Sequence, residues 1–238
     1  MNAFEKAART LPNRGVTHVF LGHPLSDGAD KTTVEPGNSY SPGVWTCGIS
    51  VWVETGGKRY CPDALKESQV EWTFGGEGAR PPVLTASYKA GAALAVTHEL
   101  AAIEGKSGCS EDLNRVTLHA RAATKGEVHI VVKDVGPAGA RIDTLAWDTS
   151  AQRLLINGCI ELLIESPRAF CAIVPADREF DSPMAVISWD VGLKAGESAE
   201  FAFRTVHGLR PSLPHSEAVG NAPQTDGTFF KVPKVIER

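Results

Sequence analysis

The chain has 238 residues, of which 42% are hydrophobic and 22% charged, the composition of an ordinary globular protein with ample residues for a core. Its 28 acidic and 24 basic side chains give a formal net charge of -4. The cations form no run that could follow a phosphate backbone, which argues against nucleic acid as a partner. The 23 glycines and 15 prolines indicate many turns and few long helices. We therefore expect an all-β fold.

The chain offers no membrane, export or metal signal. Its longest apolar stretch, 156–164, is far shorter than the roughly 20 residues of a spanning helix. The first ten residues lack the apolar core of a secretory signal, so we expect a cytoplasmic protein. The five cysteines contain no Cys-x-x-Cys pair, and we interpret them as mostly buried, reduced thiols that bind no metal or cofactor: Cys47, Cys61, Cys109, Cys159 and Cys171.

Short apolar runs alternate with turn residues along most of the chain, after an Ala-rich N-terminal stretch that could form two helical turns. A spacing of roughly 8–12 residues between such runs is typical of a β-sandwich or barrel. At 92–104 the alanines suit a helix, but the alternation of Leu94, Val96 and His98 favours a strand. Strands are predicted near 16–21, 43–54, 69–74, 83–89, 92–104, 113–122, 128–135, 141–147, 154–156, 159–165, 169–174, 184–191 and 198–206.

Two turns have clear sequence signals. Asn157-Gly158 suits a type I′ hairpin, in which Ile156 and Cys159 flank the turn. Gly56-Gly57 predicts a second hairpin, in which Thr55 faces Lys58 and, further out, Trp52 faces Cys61. This register places Cys47 far from Cys61 and argues against a disulfide between them. The β-sandwich domain is predicted to span 1–208, followed by a Pro- and Gly-rich linker or strap at 209–238.

Alternation sorts the aromatic side chains by face. Trp45 falls with the apolar positions of its run, as do Trp72 and Trp189, and we expect these three to be buried between two sheets together with Phe201 and Phe203. Trp147 is assigned to the core or its rim. Trp52 shares its face with Gly48, Ser50 and Glu54, so it could be either a platform for a sugar ring or a buried contact with another layer.

Two histidines could share a polar face. If 113–122 and 128–135 form a hairpin about Lys125-Gly126, His119 and His129 project near Arg121. This face is either a solvated sheet surface or a concave surface for sugar hydroxyls or a neighbouring domain. The candidate carbohydrate-contact residues are Trp52, His119, Arg121 and His129.

Catalytic signatures are absent from the sequence. It has no Gly-x-Ser-x-Gly elbow, phosphate loop, His-Glu-x-x-His or dinucleotide fingerprint. Glycoside chemistry needs two facing carboxylates. The acidic run Asp177, Glu179 and Asp181 has the composition of a solvated loop, whereas Glu161 and Glu165 lie on one strand rather than facing each other. We predict no catalytic residue in this chain.

Three segments resemble the N-terminal β-sandwich of bacterial glycoside hydrolases and phosphorylases that have an (α/α)6 catalytic barrel. They are Leu113-Asn-Arg-Val-Thr-Leu118, Ala185-Val-Ile-Ser-Trp189 and Leu193-Lys-Ala-Gly-Glu-Ser-Ala-Glu-Phe-Ala-Phe203. The resemblance spans 81–207, roughly half of the chain, and is one of pattern. It implies a galactose-mutarotase-like supersandwich with two mostly antiparallel sheets. In such enzymes the catalytic carboxylates mostly belong to the barrel.

Three functional hypotheses follow. The first is a non-catalytic accessory domain of a carbohydrate-active enzyme, with a structural or weak carbohydrate-binding role and either carbohydrate or a neighbouring (α/α)6 domain as partner. The second is a sugar-active enzyme on this fold, an aldose epimerase or a lyase. The third is a β-sandwich interaction protein unrelated to sugars. Fold alone does not choose among them.

Overall fold

A computed structural model describes residues 8, 18–22, 30–75, 81–105, 108–134, 136, 141–166 and 168–208. Segment 209–238, the predicted linker or strap, lies outside these residues, as does most of the predicted N-terminal helical stretch. No helix in the described ranges is long and apolar enough to cross a membrane.

Two antiparallel sheets of eight strands each make up the described chain. This confirms the prediction of an all-β, two-sheet architecture. The first sheet contains β1 (Val19–Leu21), β2 (Thr32–Val34), β3 (Tyr40–Ser41), β4 (Gly48–Thr55), β5 (Lys58–Tyr60), β10 (Thr124–Lys133), β14 (Phe170–Val174) and β15 (Met184–Leu193). The second contains β6 (Val70–Gly75), β7 (Val83–Ala90), β8 (Leu94–Glu104), β9 (Ser110–Ala120), β11 (Leu145–Asp148), β12 (Arg153–Ile156), β13 (Ile160–Ile164) and β16 (Ser198–His207).

The strand order places the longest strands in the middle of each sheet. The first sheet runs β1-β2-β3-β4-β10-β15-β14, with β5 also paired to β4, and the second runs β11-β12-β13-β16-β9-β8-β7-β6. Alternate side chains of β8, β9 and β16 point inward, as the period of two requires. Inward Val116, Leu118 and Phe203 are buried with Ile130 and Ile187 of the first sheet in one apolar core.

The structure places one of the tryptophans expected in the core at the surface. Trp189, Phe201 and Phe203 are buried as expected. Trp72 is half-buried and packs against the core. Trp45 is 81% exposed, so its assignment to the core is wrong. Alternation does not apply to it, because β4 begins only at Gly48 and the preceding residues form a turn. There Gly43 and Trp45 have φ of 94° and 64°, and the Thr46 hydroxyl donates to the Gly43 carbonyl at 2.9 Å.

Both predicted hairpins form, one with a modified register. Gly56 and Gly57 have positive φ and Thr55 pairs with Lys58, as expected. Asn157 and Gly158 also have positive φ, at 51° and 68°, and the Cys159 amide bonds the Ile156 carbonyl at 3.1 Å. Strand pairing, however, joins Ile156 to Ile160, so Cys159 belongs to the loop and does not flank the turn as a strand residue.

The cysteines occupy three environments. Cys47, Cys61 and Cys109 are buried, Cys171 is half-buried and Cys159 is exposed, and none forms a disulfide. Burial raises the pKa of the Cys47 and Cys61 thiols to about 12. These two thiols are therefore protonated and unreactive at neutral pH.

A chain of buried polar groups, the inter-sheet seam, joins the two sheets at one end of the core. The Asp112 carboxylate of β9 accepts hydrogen bonds from Thr32 of β2 at 2.6 Å and from Thr205 of β16 at 2.8 Å. His207 Nε2 lies 3.1 Å from the same carboxylate, and all four residues are buried. Thr32 belongs to the first sheet and the other three to the second, so this carboxylate links the sheets.

The seam continues through amide, phenol and imidazole groups. The Asn114 amide donates to the Tyr40 hydroxyl at 3.0 Å, and its carbonyl oxygen lies 2.9 Å from His98 Nε2. Asn38, at φ 64°, donates to the carbonyls of Leu84 and His98 and accepts from the Trp72 indole at 2.8 Å. These contacts satisfy polar groups that would be costly to bury without partners.

We expect Trp45 and Trp52 to differ sharply in their effect on stability. Replacing Trp45 with Asn, which tolerates positive φ, should raise the free energy of unfolding by about 1 kcal/mol because it relieves backbone strain. Trp52→Ala should lower it by about 3–5 kcal/mol, since Trp52 is fully buried. Urea unfolding of both variants measures this, and a clear loss of stability in Trp45→Asn would contradict the exposed position.

Removing the carboxylate of the seam should also be severe. Asp112→Ala leaves Thr32, Thr205 and His207 without their shared acceptor, and we expect a loss of about 3 kcal/mol or more, because each buried donor left without a partner costs about 1–3 kcal/mol. The control is Arg153→Ala, which removes ion pairs to Asp148 and Glu161 that are partly open to solvent, and it should cost about 1 kcal/mol or less. Equal effects of the two substitutions in urea unfolding would contradict the role of the seam.

Candidate functional site

The four sequence-predicted contact residues do not form one surface. The predicted hairpin of 113–122 with 128–135 is wrong, because β9 pairs with β8 and β16 of the second sheet whereas β10 pairs with β4 and β15 of the first. The Arg121 amide bonds the Ala93 carbonyl at 2.7 Å and keeps the end of β9 in the second sheet before the chain crosses over. His119 and Arg121 are thereby separated from Trp52 and His129.

Trp52 and His129 are register neighbours on the outer face of the first sheet, and both are buried. Trp52 packs in a second apolar cluster with Ala8, Cys61, Val131, Met184 and Val186, and its indole donates to the Ser50 hydroxyl at 2.8 Å. Of the two alternatives for Trp52, the structure therefore supports the buried contact and not the platform for a sugar ring. Its ring presents no face to a sugar.

Burial sets the charge state of His129. Its Nδ1 lies 2.8 Å from the Ser188 hydroxyl and its Nε2 lies 3.6 Å from Glu127, which is half-exposed. Desolvation lowers the pKa of His129 to about 4, with a smaller opposing effect from Glu54. The ring is thus neutral at pH 7 and contributes no cation to this face.

The outer face of the second sheet is open and polar, and it carries the other two predicted residues. His119 is exposed on β9, with Nδ1 3.0 Å from the Ser198 hydroxyl of β16. Beside it, Ser87, Thr97 and Thr117 are register neighbours on β7, β8 and β9. This arrangement supplies a transverse row of hydroxyls that can both donate and accept hydrogen bonds.

A depression of about 500 Å³ lies on this face and includes Arg121. We call it the Arg121 depression. Its polar lining includes Ser68, Gln69, Glu71, Ser87, Lys89, Thr97 and Arg121, around the small side chain of Ala95. His119 adjoins it as the register partner of Ala95. The structure thus brings two of the four predicted residues together at one shallow polar site.

Arginines elsewhere on the same face are neutralised by pairs of carboxylates. Arg115 lies 3.8 Å from Glu99 and 3.4 Å from Glu200. Arg204 lies 3.0 Å from Glu111 and 3.1 Å from Glu165. A second depression of about 300 Å³ is lined by Arg115, Glu99 and Glu165 together with apolar side chains, among them Leu113.

Sequence reasoning missed most of the lining. The missed residues lie on strands or turns that are separate in sequence: Gln69, Glu71, Lys89 and Thr97. Alternation predicts only which face of its own strand a side chain lies on. Which strand lies beside which is decided by sheet order. Across the ranges that the structure covers, no three His, Cys, Asp or Glu side chains are grouped so that they could hold a metal ion.

No protein-family model matches the chain. A short match relates it to the C subunit of an aspartyl/glutamyl-tRNA(Asn/Gln) amidotransferase of Anaeromyxobacter sp. (strain Fw109-5), 59% identical over 29 residues. The matched residues make up 12% of this chain and 30% of the length of that curated relative.

Two solved structures have a low structural similarity to this chain. A putative kojibiose phosphorylase from human microbiome has a TM-score of 0.41 and 7% identity, over 81% of this chain and 25% of that one. A polysaccharide lyase has a TM-score of 0.41 and 12% identity, over 85% and 34%. Both are carbohydrate-active enzymes by name. At these scores the likeness does not assign their activities to this chain.

Two of the buried histidines, His98 and His129, predict a pH-dependent stability. Desolvation lowers the pKa of both His98 and His129 to about 4, whereas an unfolded histidine titrates near its ordinary 6.5. Between pH 6.5 and about 4 the unfolded chain therefore binds protons that the folded chain does not. We expect the free energy of unfolding to fall as the pH is lowered from 7 to 5, by up to about 1.4 kcal/mol per pH unit for each residue.

Urea unfolding at pH 7, 6 and 5 measures this dependence. His129→Gln should reduce the slope by about half, and His119→Gln, which removes an exposed ring, should leave it unchanged. A slope that is the same in the wild type and in His129→Gln would contradict the buried, neutral state of His129.

Proposed function

We propose that this chain is a non-catalytic accessory domain of a carbohydrate-active enzyme, which contacts carbohydrate through the Arg121 depression. The observation that carries the proposal is the open outer face of the second sheet. It exposes adjoining hydroxyl, amide and charged groups in a depression of about 500 Å³. Sugars are recognised by such converging hydrogen-bonding groups, and the sequence predicts carbohydrate contact for His119 and Arg121.

The shape of the site favours contact over catalysis. The depression lies on a broad sheet face and does not enclose a ligand, whereas catalysis benefits from a water-excluded site. The carboxylates that flank Arg115 and Arg204 on the same face are engaged by guanidinium groups. The resemblance to sandwich domains that accompany an (α/α)6 barrel fits this role, with such a barrel as the neighbouring domain.

The five free cysteines suit a reducing compartment, which supports the cytoplasm as the location.

Packing of the outer face of the second sheet against a neighbouring domain is the alternative use of the same surface. It predicts that no free glycan binds.

The test is a screen of the full chain against an array of neutral and acidic oligosaccharides, followed by calorimetric titration of those that bind. Changing two hydroxyls of the site, in Ser87→Ala with Thr97→Val, should weaken binding at least tenfold, because each neutral hydrogen bond contributes about 1 kcal/mol. Thr149→Val, in the exposed turn between β11 and β12, is the matched control and should leave affinity unchanged.

Two outcomes overturn the proposal. If no glycan binds, the carbohydrate role is wrong and the interdomain role replaces it. Hydrolysis, phosphorolysis or aldose epimerase activity of the isolated chain, lost in His119→Ala, would instead establish the enzyme hypothesis.

A further inference from the structure

The cations of the Arg121 depression differ from the other arginines of the same sheet face. Arg115, Arg204 and Arg153 are each bracketed by two carboxylates within 3.8 Å. In the part of the chain that the structure describes, the side chains of Arg121 and Lys89 have no ion pair and no hydrogen-bond acceptor. The fold neutralises cations elsewhere on this surface and leaves these two available.

The backbone holds these two cations on opposite sides of a gap. Lys89 on β7 is the register partner of Ala95 on β8, and Ala95 is the partner of His119 on β9. Two strand spacings separate β7 from β9, roughly 10 Å. Because Ala95 has only a methyl side chain, the surface between the two cations is recessed. A sugar ring can therefore lie over β8 between Lys89 and the end of β9. The hydrogen bond from the Arg121 amide to the Ala93 carbonyl fixes the end of β9.

The charge of the site sets the sign of its ligand. Arg121 and Lys89 are opposed by a single lining carboxylate, Glu71 on β6, so the lining has a net charge of +1 in a chain whose net charge is -4. A planar guanidinium pairs with a carboxylate or sulfate through two parallel hydrogen bonds, and an ammonium adds a point charge. Glu71 and Gln69 Nε2 remain to bond sugar hydroxyls, while Gln69 Oε1 accepts from the Lys66 amide at 3.0 Å.

We propose that the Arg121 depression binds an anionic sugar unit, with Arg121 and Lys89 as the anion-binding residues. This inference rests on the proposed function and specifies its ligand class. A carboxylate of a uronate and a sulfate of a singly sulfated sugar offer the same chemistry to the two cations, and the experiment separates them.

The experiment compares ligands that differ only in charge. Trimers of galacturonate, mannuronate and guluronate are titrated into the full chain beside the methyl ester of each, and a singly sulfated galactose trimer beside its desulfated form. We expect at least one acid or sulfated trimer to bind tenfold or more tightly than its neutral counterpart. That preference should shrink on raising the salt from 0.05 to 0.5 M, because exposed charges are screened.

The variants locate the effect. Arg121→Gln should abolish the preference for the charged ligand while neutral binding through the hydroxyl row persists, and Lys89→Gln should reduce it. Arg153→Gln removes the same charge from β12, outside the depression, and should retain the preference. Loss of the preference in Arg153→Gln to the same extent as in Arg121→Gln would show a diffuse charge effect and overturn the inference.

The outcomes separate the two proposals. Equal binding of every charged trimer and its neutral counterpart overturns the anionic ligand and leaves the carbohydrate-contact function standing. Binding confined to neutral glycans of the array has the same meaning. If no glycan binds at all, both proposals fail together.

Discussion

The buried carboxylate of Asp112 is the constraint on which the arrangement of the two sheets depends. An ionised group removed from water is tolerated only when its acceptor positions are met by donors of good geometry. Thr32 reaches it from the first sheet, and Thr205 and His207 reach it from the second. Relative sliding of the sheets at this end would break these bonds. Apolar packing elsewhere in the core is less directional and would tolerate such a shift more easily.

Strand β9 connects this seam to the candidate site. Its inward side chains are polar at Ser110, Asp112 and Asn114 and apolar at Val116 and Leu118, so the strand is fixed by polar bonds at one end and apolar packing at the other. Its outward positions lead to His119, and Arg121 follows directly after its end. The interior side of one strand therefore fixes the register of the side chains that line the open face.

The outer faces of the two sheets have different roles because one is covered and the other is open. On the first sheet, Trp52 and His129 are buried, and Trp52 packs in the second apolar cluster with Met184 and Cys61. On the second, paired charges alternate with hydroxyls and small side chains around the Arg121 depression. The local alternation of side chains predicts only that residues on either outer face point away from the core. It carries no information on what lies above them.

The sequence by itself determined the all-β class, the position of most strands, the positive φ at Gly56-Gly57 and Asn157-Gly158, and the burial of Trp189 and Phe203. These features depend on the period of two and on local turn chemistry, which neighbouring residues encode. Tertiary structure alone decided that β9 and β10 belong to different sheets, that Trp52 is covered while Trp45 is exposed, and that Lys89 lies across β8 from the end of β9. Each of these depends on which distant segments pair or pack, and the free energy that selects among pairings comes from contacts between residues far apart in the chain.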